Sequence, residues 1–265
     1  MLLWSRRSRA ILIGLFGLVV AVVFVAPLAT VVAAGLAGSW TGAVPSDLGF
    51  EHFDDALTGE SLASLSVSLQ SAFLAGGVAL VLGTWAALAA RECPPWLARA
   101  VDGVFHLPIA VPSVAIGLGL LIAFNEQPLL LGGTRWIVIL AHAVLVLAFA
   151  FSAVSAALDR LDPAYRQAAE SLGAGPLRVL TRVTLPLLLP ALGAAAGLAV
   201  ALSMGELGAT VMVYPATWKT LPVSIFALTD RGQAFQAAAC TTVLLVVTLL
   251  ALVLLGRIRG RAAIR

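Results

Sequence analysis

The chain is poor in charge, has one lysine and carries two cysteines. Only 11% of its 265 residues are Asp, Glu, Lys or Arg, where soluble domains carry about 25%. With 61% hydrophobic residues and a mean hydropathy of +1.04, the composition excludes an ordinary water-soluble domain. Cys93 and Cys240 are expected to be unpaired thiols without a redox role. The phosphate-binding pattern GxxxxGK[ST] is missing, so ATP chemistry in this chain is excluded. Neither a GxSxG context nor an HExxH helix occurs, which argues against an intramembrane protease. His52, His106 and His142 share no metal-ligand spacing and read as capping or packing residues, so no metal site and no catalytic residue is assigned. The net charge of +3 is explained below by topology, not by nucleic acid.

What the chain has instead is long apolar runs. A run of about 20 apolar residues spans a bilayer, and six occur: Ile11–Leu36, Leu62–Ala90, Val104–Phe124, Trp136–Leu158, Leu187–Val213 and Phe235–Leu255. Backbone groups in hydrocarbon must be satisfied within the segment, so each run is expected to be a helix. The first run is too long for a cleaved signal peptide and is expected to persist as a helix.

The basic residues set the orientation. Arg6, Arg7 and Arg9 precede the first run, and Arg91 and Arg99 follow the second. Arg160, Arg166, Arg178 and Arg182 follow the fourth, and Arg257, Arg259, Arg261 and Arg265 end the chain. Thirteen of the sixteen basic residues thus share one side, with Arg135, Lys219 and Arg231 opposite. The opposite side also receives Asp47, Glu51, Asp54, Asp55 and Glu60. The positive-inside rule then places both termini in the cytoplasm. The expected architecture is all-α, a polytopic protein with six transmembrane helices forming one domain over residues 1–265. Pro108 and Pro112 should kink or interrupt the third span, while Gly117 and Gly119 should allow close helix approach.

The most distinctive polar insert is QAAESLGAGPLRVLTRVTLP, Gln167 to Pro186, within a cytoplasmic loop of about 159–186. Asp162 followed by Pro163 predicts a helix start, since Asp caps free N–H groups and Pro suits the first turn. Gly173 predicts its stop. Gly175-Pro176 predicts a second short helix ending near Pro186. Tyr165, Ala168, Ala169 and Leu172 would share a stripe on which two small residues let another surface approach.

The spacing of Ala168, Ala169, Gly173, Leu185 and Pro186, with Val183 at a position usually held by Ile, resembles the signature loop of ABC importer permeases. Gln167 stands where that family usually has Glu. The resemblance implies the type I importer permease fold and an ATPase-coupling role for Arg166, Gln167, Ala168, Ala169, Glu170, Gly173 and Pro186. It also implies the partners: separate ATPase subunits that bind ATP and Mg, a second permease subunit (same or different), and a periplasmic or extracellular substrate-binding protein. The location implied is the bacterial cytoplasmic (inner) membrane, multi-pass in the lipid bilayer, with no nucleic acid involved.

Glu206 is the one acid placed inside a span, and an intramembrane carboxylate is expected to face a cavity or a partner. The rival reading is a structural carboxylate bonded to a neighbouring helix. Gly205 and Gly208 beside it permit close packing or a local break. Ser203, Thr210 and Gln70 are further pathway candidates, although Ser and Gln also bond transmembrane helices together. SMGELGATVMVYPATW, with TLPVSIFALTDRG and LAHAVLVLAFAFS, is similar to membrane components of 2-aminoethylphosphonate importers. This implies uptake of that zwitterion, with sulfate, molybdate, ferric iron or thiamine as alternatives within the class. An ion-coupled secondary transporter is the different-class alternative. It calls for inverted repeats and buried coupling carboxylates, against one such acid and no repeat here.

Overall fold

Hydrocarbon favours uninterrupted helices, and long helices dominate the chain. The computed structural model describes residues 6–262, with side chains for residues 8–256. Arg6, Arg7, Arg257, Arg259, Arg261 and Arg265, used above for orientation, lie outside the residues whose side chains are described. Among the described residues, five helices are long and apolar enough to cross a membrane: α1 (Ser8–Leu36), α3 (Gly59–Arg91), α6 (Arg135–Asp159), α8 (Pro176–Met204) and α11 (Ala234–Ala262, apolar over Ala234–Gly256). A pair of shorter helices, α4 (Pro95–Ala110) and α5 (Ser113–Ala123), is bent by 105° at its break, and a short apolar helix, α10 (Leu221–Asp230), precedes α11. Counted as one span, that pair brings the total to the six expected.

Of the two outcomes expected at the prolines of the third run, a kink or an interruption, the structure shows the interruption, and two other expectations about continuity need correction. Pro112 has no N–H to give and drives Val111 into an extended conformation (φ −104°, ψ 133°), which ends α4. The fifth run is also not continuous to Val213. It stops at Met204, and a separate helix α9 (Gly208–Val213) follows. In the polar insert, the second helix does not end near Pro186 but runs on as α8.

Pro186 is tolerated because a π-helical turn, Leu180–Thr184, immediately precedes it. Leu185 N–H bonds to Leu180 O, five residues back. The wider turn removes the carbonyl clash that a proline ring makes in a tight helix. α1 uses the same device, with a π turn at Ala21–Val25 just before Pro27 and Ala26 N–H bonded to Ala21 O.

By its internal packing the chain forms two compact units. The first comprises residues 1–62 and 224–243. Between α1 and α3 it carries a small hairpin, β1 (Ala37–Ser39) antiparallel to β2 (Ser46–Leu48), and helix α2 (Glu51–Ala56). Gly35 lets α1 approach α11, since a methyl group there would sit 3.0 Å from Ala239 Cα. Phe235 packs near His52, and Cys240, a free thiol, lies 3.7 Å from Ser61 Oγ.

The second unit comprises residues 63–223 and 244–265 and is organised around α6. In its most apolar stretch α6 is 61% buried, against 39% for α3 and 28% for α8, so α6 is the central helix. It packs at one end in a cluster of Ala87, Phe151, Val154, Leu158 and Leu188, and at the other in Ile137, Val138, Ala141, Ala209 and Val213. Gly83 brings α3 onto α6, where a side chain would lie 2.8 Å from Phe151 N. Gly117 does the same for α5 and α9: a methyl group there would lie 2.6 Å from Ala209 O. Gly119 faces open space and makes no such approach.

Gly117→Ala is therefore expected to force α5 and α9 apart, an overpacking cost of about 1–3 kcal/mol. Its thermal midpoint in detergent should fall by several degrees, whereas Gly119→Ala should leave the midpoint unchanged.

Candidate functional site

Two places concentrate polar chemistry in the second unit: the insert after α6, and the break between α8 and α9. Helix α7 (Pro163–Ser171) opens the insert as expected, with Asp162 Oδ1 accepting from Ala164 N–H at 2.9 Å. It ends on Gly173, whose φ of +80° is open to glycine without strain. Gly173 N–H bonds to Glu170 O at 2.9 Å, and Ala174 N–H bonds to Ala169 O at 3.0 Å. This paired reverse bonding satisfies the last carbonyls and sets a fixed angle between α7 and α8.

Arg166 is the hub of the insert. Its Nε donates to Glu170 Oε1 at 2.8 Å, and an Nη1 hydrogen goes to Glu92 Oε1 at 2.7 Å. Glu92 sits in the turn between α3 and α4, so this pair ties the insert to a distant part of the chain. Glu170 first, and then Glu92, hold the guanidinium even more firmly protonated than usual. All three side chains are solvent-exposed, so the network orients more than it stabilises. Behind it lies a cavity of about 460 Å³ lined by residues that include Leu88, Leu158, Tyr165, Val179 and Leu187.

Of the other insert residues, Gln167 and Ala168 are exposed and Ala169 is half-buried. Pro186 is exposed within α8, away from the turn. Large apolar side chains also face outward: Leu172 is 88% exposed, Leu177 74% and Tyr165 57%. These three exposed apolar side chains lie on α7, beside the Gly173 turn and at the start of α8.

At the second place, Glu206 stands in the gap after Gly205. Its Oε1 accepts from Ala209 N–H at 2.7 Å and so caps α9, while its own N–H bonds to Ser203 O at 3.2 Å. The carboxylate is half-buried, so it caps a helix end and keeps an open side. Ser203 and Thr210 are buried and face inward, to His142 on α6. Ser203 Oγ lies 2.6 Å from His142 Nδ1, and Thr210 Oγ1 lies 2.7 Å from His142 Nε2. Gln70 stands apart, exposed on α3, with its amide bonded to Ser66 Oγ at 3.0 Å. The structure thus gathers Ser203, Glu206 and Thr210 at one break.

Sequence reasoning missed Glu92 and the bridging role of His142. No spacing signal links Glu92 to Arg166, which are 74 positions apart. His142 read as a capping or packing residue, and the two hydroxyls beside it read as pathway groups.

Next to the loop after α9, the Trp218 indole N–H donates to Ser71 Oγ at 2.9 Å, and Leu221 N–H donates to Ser68 Oγ at 2.8 Å. Arg135 lies over the Trp136 ring at 4.9 Å and the Trp218 ring at 5.7 Å, a pattern suited to the edge of a bilayer.

Comparison with known proteins gives the family. Residues 79–263 match the family model for the binding-protein-dependent transport system inner membrane component. The chain is 46% identical over 261 residues to PhnV of Salmonella typhimurium, named as a candidate 2-aminoethylphosphonate transport system permease protein, covering 98% of each chain. It is 34% identical over 158 residues to the molybdenum transport system permease protein ModB of Escherichia coli K12, covering 53% of this chain and 68% of that one. Among solved structures, a bacterial ABC transporter involved in import of the acidic polysaccharide alginate superimposes with a TM-score of 0.74 at 18% identity, covering 97% of this chain and 96% of that one. The MetNI methionine ABC transporter in inward-facing form gives a TM-score of 0.62 at 17% identity, covering 76% of this chain and 95% of that one. At such identities these two likenesses speak to fold alone.

The Arg166 bridge generates a test. Arg166→Ala should leave the thermal midpoint nearly unchanged, because the pair is exposed. Chymotrypsin cleavage at Tyr165 and Leu172 should accelerate as the insert loses its tie to Glu92, and Arg166→Glu combined with Glu92→Arg should restore the slower cleavage.

Proposed function

We propose that this chain, which belongs to the family of binding-protein-dependent transport system inner membrane components, carries 2-aminoethylphosphonate across the bacterial inner membrane as the permease subunit of an ABC importer. The observation that carries the proposal is the likeness to PhnV, which runs nearly end to end in both chains. A docking role for the insert is supported by the exposed Tyr165, Leu172 and Leu177 around the Gly173 turn. The shorter likeness to ModB supports the class of small-molecule importers and makes an oxyanion the alternative cargo.

In this reading two permeases, alike or different, form the path between them. A separate ATPase subunit receives α7 and the Gly173 turn of each permease, through Gln167, Ala168 and Leu172, and binds the ATP and Mg. Both termini and the insert lie on the cytoplasmic side, in keeping with the basic loops. A binding protein delivers substrate to the opposite face. ATP drives the cycle only insofar as the ATPase pair binds the inward- and outward-facing forms with different affinity. A substrate with an ammonium and a phosphonate group suits a half-buried carboxylate: Glu206 meets the amine, and its bond to Ala209 N–H fixes its direction.

The test is ATP-dependent uptake by vesicles holding the permeases, the ATPase and the binding protein, with 2-aminoethylphosphonate, sulfate, molybdate and thiamine offered in parallel. Uptake of the phosphonate alone is expected. Uptake of another member would remove the substrate, and uptake without ATP would remove the importer reading. Gly173→Asp should abolish uptake while the chain still inserts, because α7 no longer meets the ATPase at its native angle. Normal uptake by that variant would remove the coupling role of the insert.

A further inference from the structure

We infer that His142 is a positioning residue for transport: one buried imidazole holds both sides of the α8–α9 break and thereby fixes where Glu206 stands in the path. The inference rests on the reading of Glu206 as the pathway carboxylate. His142 is 1% exposed and lies on α6, the most buried of the long helices. Its two ring nitrogens reach Ser203, in the last turn of α8, and Thr210, in the first turn of α9. Every residue of the gap lies between these two anchors.

The Thr210 hydroxyl has one hydrogen and gives it to Glu206 O at 3.3 Å. With that assignment His142 Nε2 donates to Thr210 Oγ1 and the unprotonated Nδ1 accepts from Ser203 Oγ, while the opposite tautomer reverses both bonds and keeps both anchors. A neutral imidazole with Nε2–H satisfies all three groups. The chain Ser203–His142–Thr210–Glu206 therefore runs unbroken from α8 through α6 to the backbone of Glu206. From the other side Gly208 packs on Ser113 and Val114 of α5. The gap is held from two helices, while the Glu206 side chain keeps its open side.

Two readouts test this in the assembled transporter. The first does not depend on the substrate. Gly205 is exposed, and a side chain there would meet nothing closer than 3.9 Å. Gly205→Cys in a Cys93→Ser, Cys240→Ala background reports the gap through its rate of modification by a membrane-impermeant methanethiosulfonate. Adding His142→Leu should change that rate severalfold. Equal rates with and without His142, including no labelling in either, would overturn the inference.

The second readout is uptake of 2-aminoethylphosphonate per inserted permease. His142→Leu should raise KM about tenfold, through loss of a charge-positioning network, with a smaller change in Vmax. His142→Gln keeps a donor near the Nε2 position and should recover most of the loss. His142→Asn keeps only an acceptor near Nδ1 and should recover less. An unchanged KM and an unchanged rate per inserted permease, with only the amount of inserted protein reduced, would mean a merely structural histidine and overturn the inference. If His142→Leu fails to insert, Ser203→Ala and Thr210→Val each remove one anchor, and an unchanged KM in both would overturn it equally. Unaltered uptake by Glu206→Gln would sink the carboxylate reading on which KM depends. Absence of phosphonate uptake by the unaltered transporter would sink the substrate. In either case the labelling rate still decides the role of His142.

Discussion

A backbone N–H or C=O freed inside hydrocarbon must find its partner within the protein, because no water is there to supply one. Several irregularities within the described spans answer that constraint. The π turns before Pro27 and Pro186 keep a backbone bond across the place where proline offers none. The α8–α9 break is more demanding, since a helix end opens on each side of Gly205. There Ser203 O takes Glu206 N–H, the Glu206 carboxylate takes Ala209 N–H, and His142 holds the neighbouring hydroxyls. A costly intramembrane acid is thereby put to structural use on one side while its other side stays open. The two readings of Glu206, structural and functional, do not exclude each other.

The insert after α6 answers to a different solvent. In water its helix ends need only local caps, and Asp162 and Gly173 supply them. Its ion pairs contribute little stability, so the bridge from Arg166 to Glu92 matters as a constraint on direction. The exposure of Leu172, Leu177 and Tyr165 is then the informative anomaly. Rigid geometry lowers the ordering cost of docking, and the Gly173 turn provides that rigidity without a large interface of its own.

The apolar runs, the capping pair Asp162-Pro163 and the Gly173 stop were legible in the sequence because each depends on a local property: hydropathy over a window, or the conformational range of one residue. The extent of the third-span bend was not legible. Proline forbids a continuous helix at Val111 but does not say how far the next helix turns away. The end set at Pro186 failed because a π turn costs one residue of register and leaves no mark in composition. Ser203 and Thr210 were read as pathway groups because hydroxyls in a span serve either role, and only the third dimension shows His142 between them. Gly119 likewise carried the same local signal as Gly117, yet only Gly117 faces a neighbouring backbone.

The geometry also connects the insert to the break. α8 starts at Pro176, directly after the Gly173 turn, and ends at Met204, directly before Glu206. At 1.5 Å per residue it is a strut of about 40 Å, with one soft point at the Leu180–Thr184 π turn. A second line runs from Arg166 to Glu92 and so into the turn before α4, then through α5, which touches α9 at Gly117 and Ala209. Both lines arrive at the segment that His142 pins to α6. Under the proposed cycle, a displacement of α7 by the ATPase loads the break from both sides while α6 holds its centre. Close-packed interfaces have few stable arrangements, so such a load favours discrete positions of Glu206 over a graded drift. In the proposed cycle this half-buried carboxylate, capping α9 through Ala209 N–H, is the group whose position would carry the nucleotide state to the substrate.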